Sequence, residues 1–181
     1  PVSMPDVIVV CDMYVAVTAV PTGRYPRECS WLREMHAAGA FLTSVCSGSL
    51  VLADAGVLEG REATAHWAYS DMFRRYFPRV TFRDSAVLCL KDQDAGIVTA
   101  GGASAWHDLA FYLIARFCGY SHAIQTAKVF LLTIPAEGQS PYAVMTRSMD
   151  ARDAVIADCQ AWIAEHYEIG NPVERMAERS G

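Results

Sequence analysis

One stretch decides the fold of this chain, and it reads Ala40-Phe41-Leu42-Thr43-Ser44-Val45-Cys46-Ser47-Gly48-Ser49-Leu50-Val51-Leu52-Ala53. A short apolar run leads into a corner of small residues with Cys46 at its tip, and a helical pattern follows. This order predicts a strand, a sharp nucleophile elbow and a helix. Because the helix would aim its amide N–H groups and positive dipole end at the side chain, we expect the Cys46 thiol to deprotonate more easily than a free one.

The segments around the elbow alternate between strand and helix patterns. A continuous apolar run at Val7–Val10 is typical of a strand that is buried on both faces. Helical spacing covers Arg27–Ala38, and two later helices are predicted to begin with N-caps at Ser104 and Ser121. This alternation predicts an α/β domain with a largely parallel sheet, whose working crevice lies at the carboxyl ends of the strands, where Cys46 would lie.

The bulk composition is that of a globular protein. Of the 181 residues, 52% are hydrophobic and 19% are charged, which allows a substantial core. The formal net charge of −5 argues against broad, non-specific affinity for nucleic acid. Because no apolar run is long enough to span a bilayer and no signal segment opens the chain, the sequence predicts a cytoplasmic, soluble protein with no membrane partner.

The six cysteines are scattered, without the spacing of a metal site or of a disulfide framework. We therefore expect neither a bound metal nor a cofactor. Apart from Cys46, the cysteines are predicted to be small buried or half-buried hydrophobic side chains. Mild alkylation is accordingly expected to label Cys46 before Cys11, Cys89 or Cys118.

The pattern of residues changes after Pro135, where a linker is predicted to begin. We predict an α/β domain over residues 1–135, a linker over 136–149 and the beginning of a second domain over 150–181. The chain starts without Met and stops straight after a helical pattern, so both ends look cut.

The last part of the chain has the pattern of a helix-turn-helix module at its start. Helical patterns at Ala151–Tyr167 and Val173–Arg179 flank Asn171, a good N-cap, and Pro172, which suits a first helical position. Residues 147–181 carry four basic and seven acidic side chains, which is not a surface that grips phosphates. The helix that reads DNA is therefore expected after Gly181.

Three segments carry a family resemblance. Ser44-Val45-Cys46-Ser47-Gly48, followed by the segment Ala55–Trp67, resembles the elbow region of the ThiJ/PfpI group, which are class I glutamine amidotransferase-like domains. The segment Thr99–Ala110 resembles the later strand-to-helix segment of the same group. The tail, Cys159–Gly181, resembles the opening of an AraC-type DNA-binding domain.

The combination is similar to AraC-family transcriptional regulators whose N-terminal half is an amidotransferase-like sensor domain. The resemblance implies a flavodoxin-like three-layer sandwich with a mostly parallel sheet, followed by the start of an all-α helix-turn-helix domain. It also implies a homodimer, an unknown small-molecule effector, and operator DNA that is bound through a segment after Gly181.

The chain departs from the enzymatic members of the group in two places. Those enzymes carry a Pro-Gly-Gly turn that helps to form the oxyanion hole, whereas the strand at Val7–Val10 runs here into Cys11-Asp12-Met13-Tyr14. They also use a carboxylate from an early region that would precede Pro1. Both departures favour a retained elbow that marks a ligand pocket over a working nucleophile.

His66 follows the elbow helix, at the position that carries the active-site His in the enzymatic relatives. With Cys46 it would supply the base and the nucleophile of a cysteine enzyme, and Asp71 would orient its ring. The alternative for His66 is a polar residue at a strand end that stacks on Trp67. The alternative for Asp71 is an exposed carboxylate on a helix surface.

A second group of candidates follows the last strand. Gly101 and Gly102 precede a helix, and successive glycines expose backbone N–H groups that hold an anion or a carbonyl oxygen. Trp106 and His107 open that helix, whose dipole disfavours protonation of His107; the alternative is a tight turn with a buried Trp106. The expected ligand-binding set is Cys46, Ser47, His66, Trp67, Gly101, Gly102, Trp106 and His107.

Three functions fit these patterns. The first is the sensor and dimerisation domain of a transcriptional regulator, with a small-molecule pocket beside Cys46. The second is a cysteine-dependent enzyme of the ThiJ/PfpI kind, with amidase, glyoxalase-like or deglycase-like activity that uses Cys46 and His66. The third treats the fold purely as a dimerisation platform.

Overall fold

Strands and helices alternate along most of the computed structural model, which describes residues 4–132, 158–159, 162–163, 166 and 170–180. Its strands are β1 (Val7–Val10), β2 (Phe41–Val45), β3 (Glu62–Ala63), β4 (Thr81–Phe82), β5 (Leu88–Cys89) and β6 (Ile97–Ala100). The helices whose ends are described are α1 (Pro26–Ala37), α2 (Gly48–Asp54), α3 (Ser70–Tyr76), α4 (Trp106–Cys118), α5 (Tyr120–Phe130) and α6 (Pro172–Ser180).

Four strands form the main sheet in the order β1-β2-β6-β5. β1, β2 and β6 run parallel, with Val10 opposite Ser44 and Ser44 opposite Thr99, whereas β5 pairs antiparallel with β6. β3 and β4 form a separate two-stranded parallel ladder. The structure therefore confirms the α/β fold with a mostly parallel sheet, and the carboxyl ends of three strands lie along one edge beside Cys46.

The strand and helix of the elbow lie at the centre of the core. Every residue of β2 is buried, and so are six of the seven residues of α2. α2 packs against α1, β1 and β2, which leaves room only for the small and apolar side chains that this stretch supplies. Another part of the core is aromatic: the rings of Phe73 and Phe82 stack at a centroid distance of 4.4 Å.

Three local predictions are wrong. β1 is not buried on both faces, because Val9 is 44% exposed and β1 pairs with β2 alone among the described strands. The predicted N-caps at Ser104 and Ser121 are also absent. α4 follows a short 3-10 turn at Ala103–Ala105 and α5 starts directly after Gly119, and no side-chain hydrogen bond caps either helix.

The elbow itself is a strained turn held by a close approach of two backbones. Cys46 has a φ of 56°, in the left-handed region that residues with a side chain rarely adopt. Its N–H donates to the carbonyl oxygens of Ala100 at 3.2 Å and Gly101 at 2.9 Å. A Cβ at Gly48 would overlap the carbonyl oxygen of Val10, so only glycine lets the end of β1 cross the first turn of α2.

The chain divides into two compact units, Pro1–Ser140 and Pro141–Gly181. In the second unit α6 begins at Pro172, as its pattern predicts, and the ring of Trp162 stacks on His166 at 4.7 Å. The linker predicted over residues 136–149 and most of the helix predicted at Ala151–Tyr167 lie outside the described residues. Within the described part of the chain, no helix is long and apolar enough to cross a membrane.

Substitution of Gly48 is the most direct test of the elbow. Gly48→Ala should destabilise the protein by about 3 kcal/mol, because the new Cβ forces β1 and α2 apart in a close-packed core. Gly60→Ala is the control for an alanine without a clash, since a Cβ at Gly60 would meet open space, although Gly60, unlike Gly48, has a positive φ, of 72°. Gly60→Ala should cost only about 1 kcal/mol of conformational strain. Urea unfolding measures both, and equal losses would contradict the predicted clash.

Candidate functional site

Asp12 faces Cys46 across the elbow. The Cys46 thiol donates a hydrogen bond to the Asp12 carboxylate, and the hydroxyl and backbone N–H of Ser47 also donate to it. A fourth donor is the backbone N–H of Tyr14, 3.3 Å from Oδ1. The carboxylate therefore occupies the space directly in front of the thiol.

The loop that carries Asp12 is tied to the elbow helix. The Ser47 hydroxyl accepts a hydrogen bond from the backbone N–H of Met13 at 2.8 Å while it donates to Asp12. Tyr14 then turns the loop away with a φ of 41°. Where the resemblance implies a Pro-Gly-Gly turn in the enzymatic relatives, this chain has Asp12, whose carboxylate lies beside Cys46. The carboxylate expected before Pro1 therefore has a counterpart in Asp12.

The electrostatics of the elbow contradict the predicted acidity of Cys46. Burial, followed by the negative charge of Asp12, raises the pKa of the Cys46 thiol to about 11. The backbone N–H of Ser47 works in the opposite direction but is outweighed. The hydroxyl of Ser47 is in turn the main cause that lowers the pKa of Asp12. At neutral pH the site therefore holds a carboxylate beside a protonated thiol.

A buried chain of hydrogen bonds holds the segment before His66 against the elbow. The hydroxyls of Ser44 and Ser49 are 2.8 Å apart, and Ser49 donates to the carbonyl oxygen of Thr64 at 2.7 Å. The backbone N–H of Thr64 donates to the Thr99 hydroxyl at 2.8 Å. All four side chains are almost fully buried, so this network fixes the position of the backbone that leads to His66.

His66 lies in the same neighbourhood as Cys46 but does not pair with it. Its Nδ1 accepts from the backbone N–H of Ala68 at 3.2 Å, which leaves the proton of the neutral ring on Nε2. Burial lowers the pKa of His66, and the charge of Asp12 opposes this. No hydrogen bond joins His66 to Cys46 among the described residues, and the ring packs on Trp67 at 4.7 Å.

Asp71 is a surface carboxylate, as the alternative proposed. It pairs with Arg74 at 2.9 Å, and its side chain is 90% exposed, so it does not orient His66. Tyr69 is a residue near Cys46 that the sequence patterns did not predict. Its hydroxyl donates to the carbonyl oxygen of Val15 at 2.9 Å, and its pKa is raised by burial and, next, by Cys46.

Gly101, the first glycine after β6, is engaged by backbone hydrogen bonds of the fold. The N–H of Gly101 donates to the carbonyl oxygen of Val87 at 2.8 Å, and its carbonyl oxygen accepts from Cys46. The prediction that this N–H is exposed to a ligand is therefore wrong for Gly101. The half-buried Gly102 is the N-cap residue of the 3-10 turn at Ala103–Ala105. The N–H of Cys46 is likewise bound, so neither amide is open to an oxyanion.

Trp106 and His107 are the first two residues of α4. Trp106 is 58% exposed, so the buried Trp106 of the alternative is wrong. The two rings are 5.6 Å apart, and Nε2 of His107 lies 3.6 Å from Oδ2 of Asp108. Within the described residues, no group of three or more His, Cys, Asp or Glu side chains is arranged to hold a metal ion.

The comparisons with known proteins match the elbow region. The profile of the DJ-1/PfpI family matches residues 20–116. The chain is 36% identical over 107 residues to the HTH-type transcriptional regulator CdhR of Pseudomonas aeruginosa, covering 59% of this chain and 31% of that protein. It is 33% identical over 112 residues to isonitrile hydratase of Pseudomonas putida, covering 62% of this chain and 45% of that enzyme.

The fold has a match among solved structures. The crystal structure of an AraC family transcriptional regulator from Pseudomonas putida has a TM-score of 0.57 at 21% identity, covering 69% of this chain and 63% of that one. This likeness shows the flavodoxin-like fold. The matched parts span less than half the length of the two curated relatives.

The order of alkylation should differ from the one expected from the sequence. Iodoacetamide at mildly alkaline pH should label the exposed Cys11 and Cys118 before Cys46, because the reactive form is the thiolate and Cys46 stays protonated and buried. Asp12→Asn removes the opposing charge and should speed labelling of Cys46 by about threefold for each unit by which its pKa falls, because a larger thiolate fraction is partly offset by a weaker nucleophile. Peptide mass spectrometry measures each site.

The control for this experiment is Asp71→Asn, which removes an exposed carboxylate that pairs with Arg74. It should leave the labelling rate of Cys46 unchanged. Labelling of Cys46 ahead of Cys11 in the unmodified sequence, or an equal Cys46 rate with and without the Asp12 charge, would show that Asp12 does not control the thiol.

Proposed function

Since this chain belongs to the DJ-1/PfpI family, we propose that it is mainly the ligand-sensing and dimerisation domain of an AraC-type, DNA-binding transcriptional regulator. Its similarity to an HTH-type regulator supports this reading. The helix-turn-helix pattern of the tail, which resembles the opening of an AraC-type domain, supports it independently.

One observation carries the proposal: the backbone N–H groups of Cys46 and Gly101 at the elbow already donate to carbonyl oxygens of the fold. A cysteine nucleophile needs an available thiolate and free N–H groups for the oxyanion. Here the pKa of Cys46 is raised to about 11, and the N–H groups of Cys46 and Gly101 have backbone partners. The elbow therefore has the backbone geometry of a nucleophile elbow, but its thiol is protonated and these N–H groups are engaged, which favours ligand binding over catalysis.

The effector pocket is proposed beside Cys46. The corner offers a neutral thiol, the Nε2–H of a His66 whose pKa is lowered by burial, and the Asp12 carboxylate. This negative charge favours a neutral or cationic effector over an anion. The proposed contact residues are Cys46, Ser47, His66, Trp67, Gly101, Gly102, Trp106 and His107.

The rest of the proposal concerns the whole protein. We infer an amidotransferase-like domain over residues 1–135, a linker over 136–149 and the start of the DNA-binding domain over 150–181. Operator DNA would be bound through a segment after Gly181. The regulator would act as a homodimer in the cytoplasm.

A cysteine-dependent enzyme is the second candidate. It is favoured by the similarity to isonitrile hydratase and by the hydrogen bond from the Cys46 thiol to Asp12. In this alternative Asp12 accepts the thiol proton as the nucleophile attacks, and His66 supplies a further polar group. The reaction would be a hydration or hydrolysis of the amidase, glyoxalase-like or deglycase-like kind.

Operator binding by the full-length protein tests the proposal. Fluorescence anisotropy on DNA fragments from the promoter of its own gene should show specific binding, and the effector should change the affinity by about tenfold or more. Cys46→Ser should leave the affinity without effector unchanged and weaken the response to effector. Cys118→Ser, at an exposed position on α4, should change neither.

The same variants separate the two candidates. If the enzyme alternative holds, the protein converts isonitriles or related substrates, and Cys46→Ser abolishes turnover. Absence of specific DNA binding by the full-length protein, together with Cys46-dependent turnover, would overturn the regulator proposal.

A further inference from the structure

The loop that follows β1 is held over the elbow at two points. Residues 11–15 form this loop, called here the elbow loop, and four of its five residues are exposed whereas Val15 is buried. The first tether is at Met13, whose backbone N–H donates to the Ser47 hydroxyl at 2.8 Å. The second tether is at Val15, whose carbonyl oxygen accepts from the Tyr69 hydroxyl at 2.9 Å.

The second tether comes from a distant part of the chain. Tyr69 ends the 3-10 turn Trp67–Tyr69, and it lies 54 positions after Val15 in the sequence. The two residues are 7% and 3% exposed, so water does not readily replace their hydrogen bond. This bond therefore joins two segments that the sheet does not connect.

The 3-10 turn gives Tyr69 a firm base. Nδ1 of His66 accepts from the backbone N–H of Ala68 at 3.2 Å, and the carbonyl oxygen of His66 accepts from the N–H of Tyr69 at 3.0 Å. The Ser70 hydroxyl donates to the carbonyl oxygen of Trp67 at 2.7 Å. The position of the turn therefore sets the position of the Tyr69 hydroxyl.

The elbow loop is strained between its two tethers. Tyr14 has a φ of 41°, in the left-handed region that residues with a side chain rarely adopt. Its side chain is 81% exposed, so side-chain packing does little to offset the strain. Such a conformation persists only where the surroundings hold it. Because the tethered residues Met13 and Val15 flank Tyr14 on either side, the two tethers supply this support.

We propose that Tyr69 is a positioning residue: its hydroxyl fixes the end of the elbow loop, and the fixed loop keeps the Asp12 carboxylate against the Cys46 thiol. Without that hydrogen bond the strained backbone of Tyr14 relaxes, and the carboxylate moves away from the thiol. The loop then supplies less burial and less negative charge to Cys46, which are the two main causes that raise the pKa of the thiol.

The same bond links the proposed effector contacts to the elbow. His66 caps the turn that ends in Tyr69 and Trp67 opens it, so a molecule that shifts either residue also shifts the elbow loop. This consequence rests on the proposed function, whereas the positioning role is measured on the protein without DNA or effector. Failure of operator binding therefore leaves the positioning role intact, and failure of the positioning role leaves the regulator proposal intact.

Tyr69→Phe keeps the buried ring and removes the tether. The Met13 amide should exchange with solvent at least about fivefold faster, the factor that corresponds to the loss of one neutral hydrogen bond. The pKa of Asp12 should rise toward its ordinary value, because the Ser47 hydroxyl that chiefly lowers it is no longer held in place. Amide exchange and carboxyl titration by NMR measure the two effects. An unchanged pKa of Asp12 would overturn the proposal, whether or not Met13 exchanges faster.

Labelling of Cys46 by iodoacetamide shows whether Tyr69 acts through Asp12. Tyr69→Phe should speed this labelling by about threefold for each unit by which the pKa of the thiol falls. In a protein that already carries Asp12→Asn, Tyr69→Phe should add clearly less, because the charge that it displaces is gone. Equal acceleration with and without the Asp12 charge would show that Tyr69 only covers the thiol, which refutes the positioning role.

Tyr112→Phe is the matched control. The Tyr112 hydroxyl also donates a hydrogen bond of 2.9 Å, to Gln93, but its ring stacks on Phe41 at the opposite end of β2 from the elbow. This variant should change neither the exchange of the Met13 amide, nor the pKa of Asp12, nor the labelling of Cys46.

The unmodified protein decides the question if Tyr69→Phe does not fold. Because the tether makes the elbow loop and the 3-10 turn open together, the amides of Met13 and Ala68 should have protection factors within about tenfold of each other. A Met13 amide that is much less protected than the Ala68 amide would show that the two segments open independently, and the proposal would fail.

Discussion

The close crossing of β1 over the first turn of α2 is the contact on which the rest of the structure depends. It requires glycine at position 48, because a Cβ there would overlap the carbonyl oxygen of Val10. This crossing brings the residues after β1 over the tip of the elbow. As a result Asp12 meets the Cys46 thiol, and Ser47 links the two by hydrogen bonds from its hydroxyl and its N–H.

The Asp12 carboxylate and a Cys46 thiolate would compete for hydrogen bonds from the same donors. An elbow places backbone N–H groups where a thiolate would accept them. In this chain the Asp12 carboxylate already accepts from the N–H and hydroxyl of Ser47 and from the N–H of Tyr14. Burial and, next, the negative charge of Asp12 raise the pKa of the Cys46 thiol, so the donors stabilise the Asp12 carboxylate while the thiol stays protonated.

Much of the fold could be predicted from local pattern, and the failures have physical causes. The apolar run of β2 and the small residues of the elbow predict a buried strand and a tight turn, and both are present. The predicted N-caps at Ser104 and Ser121 are wrong because neither serine is the residue that precedes its helix. A 3-10 turn leads into α4, and Gly119 precedes α5. The acidity of Cys46 fails because sequence shows the helix that follows but neither the burial nor the facing charge.

The site residues that sequence missed came from contacts between distant segments. Continued by two residues, the parallel register of Val10 with Ser44 puts Asp12, the second residue after β1, beside Cys46, the first residue after β2, so a correct sheet order would have pointed to Asp12. The sequence alone does not show that Asp12 and Asp108 have different surroundings, since each is one aspartate beside an apolar element. Asp12 is surrounded by donors and its pKa is lowered, whereas Asp108 is buried with an unpartnered oxygen and its pKa is raised. The first carboxylate is held by hydrogen bonds within the fold, and the second keeps one oxygen without a hydrogen-bond partner, a difference that only the packed structure contains.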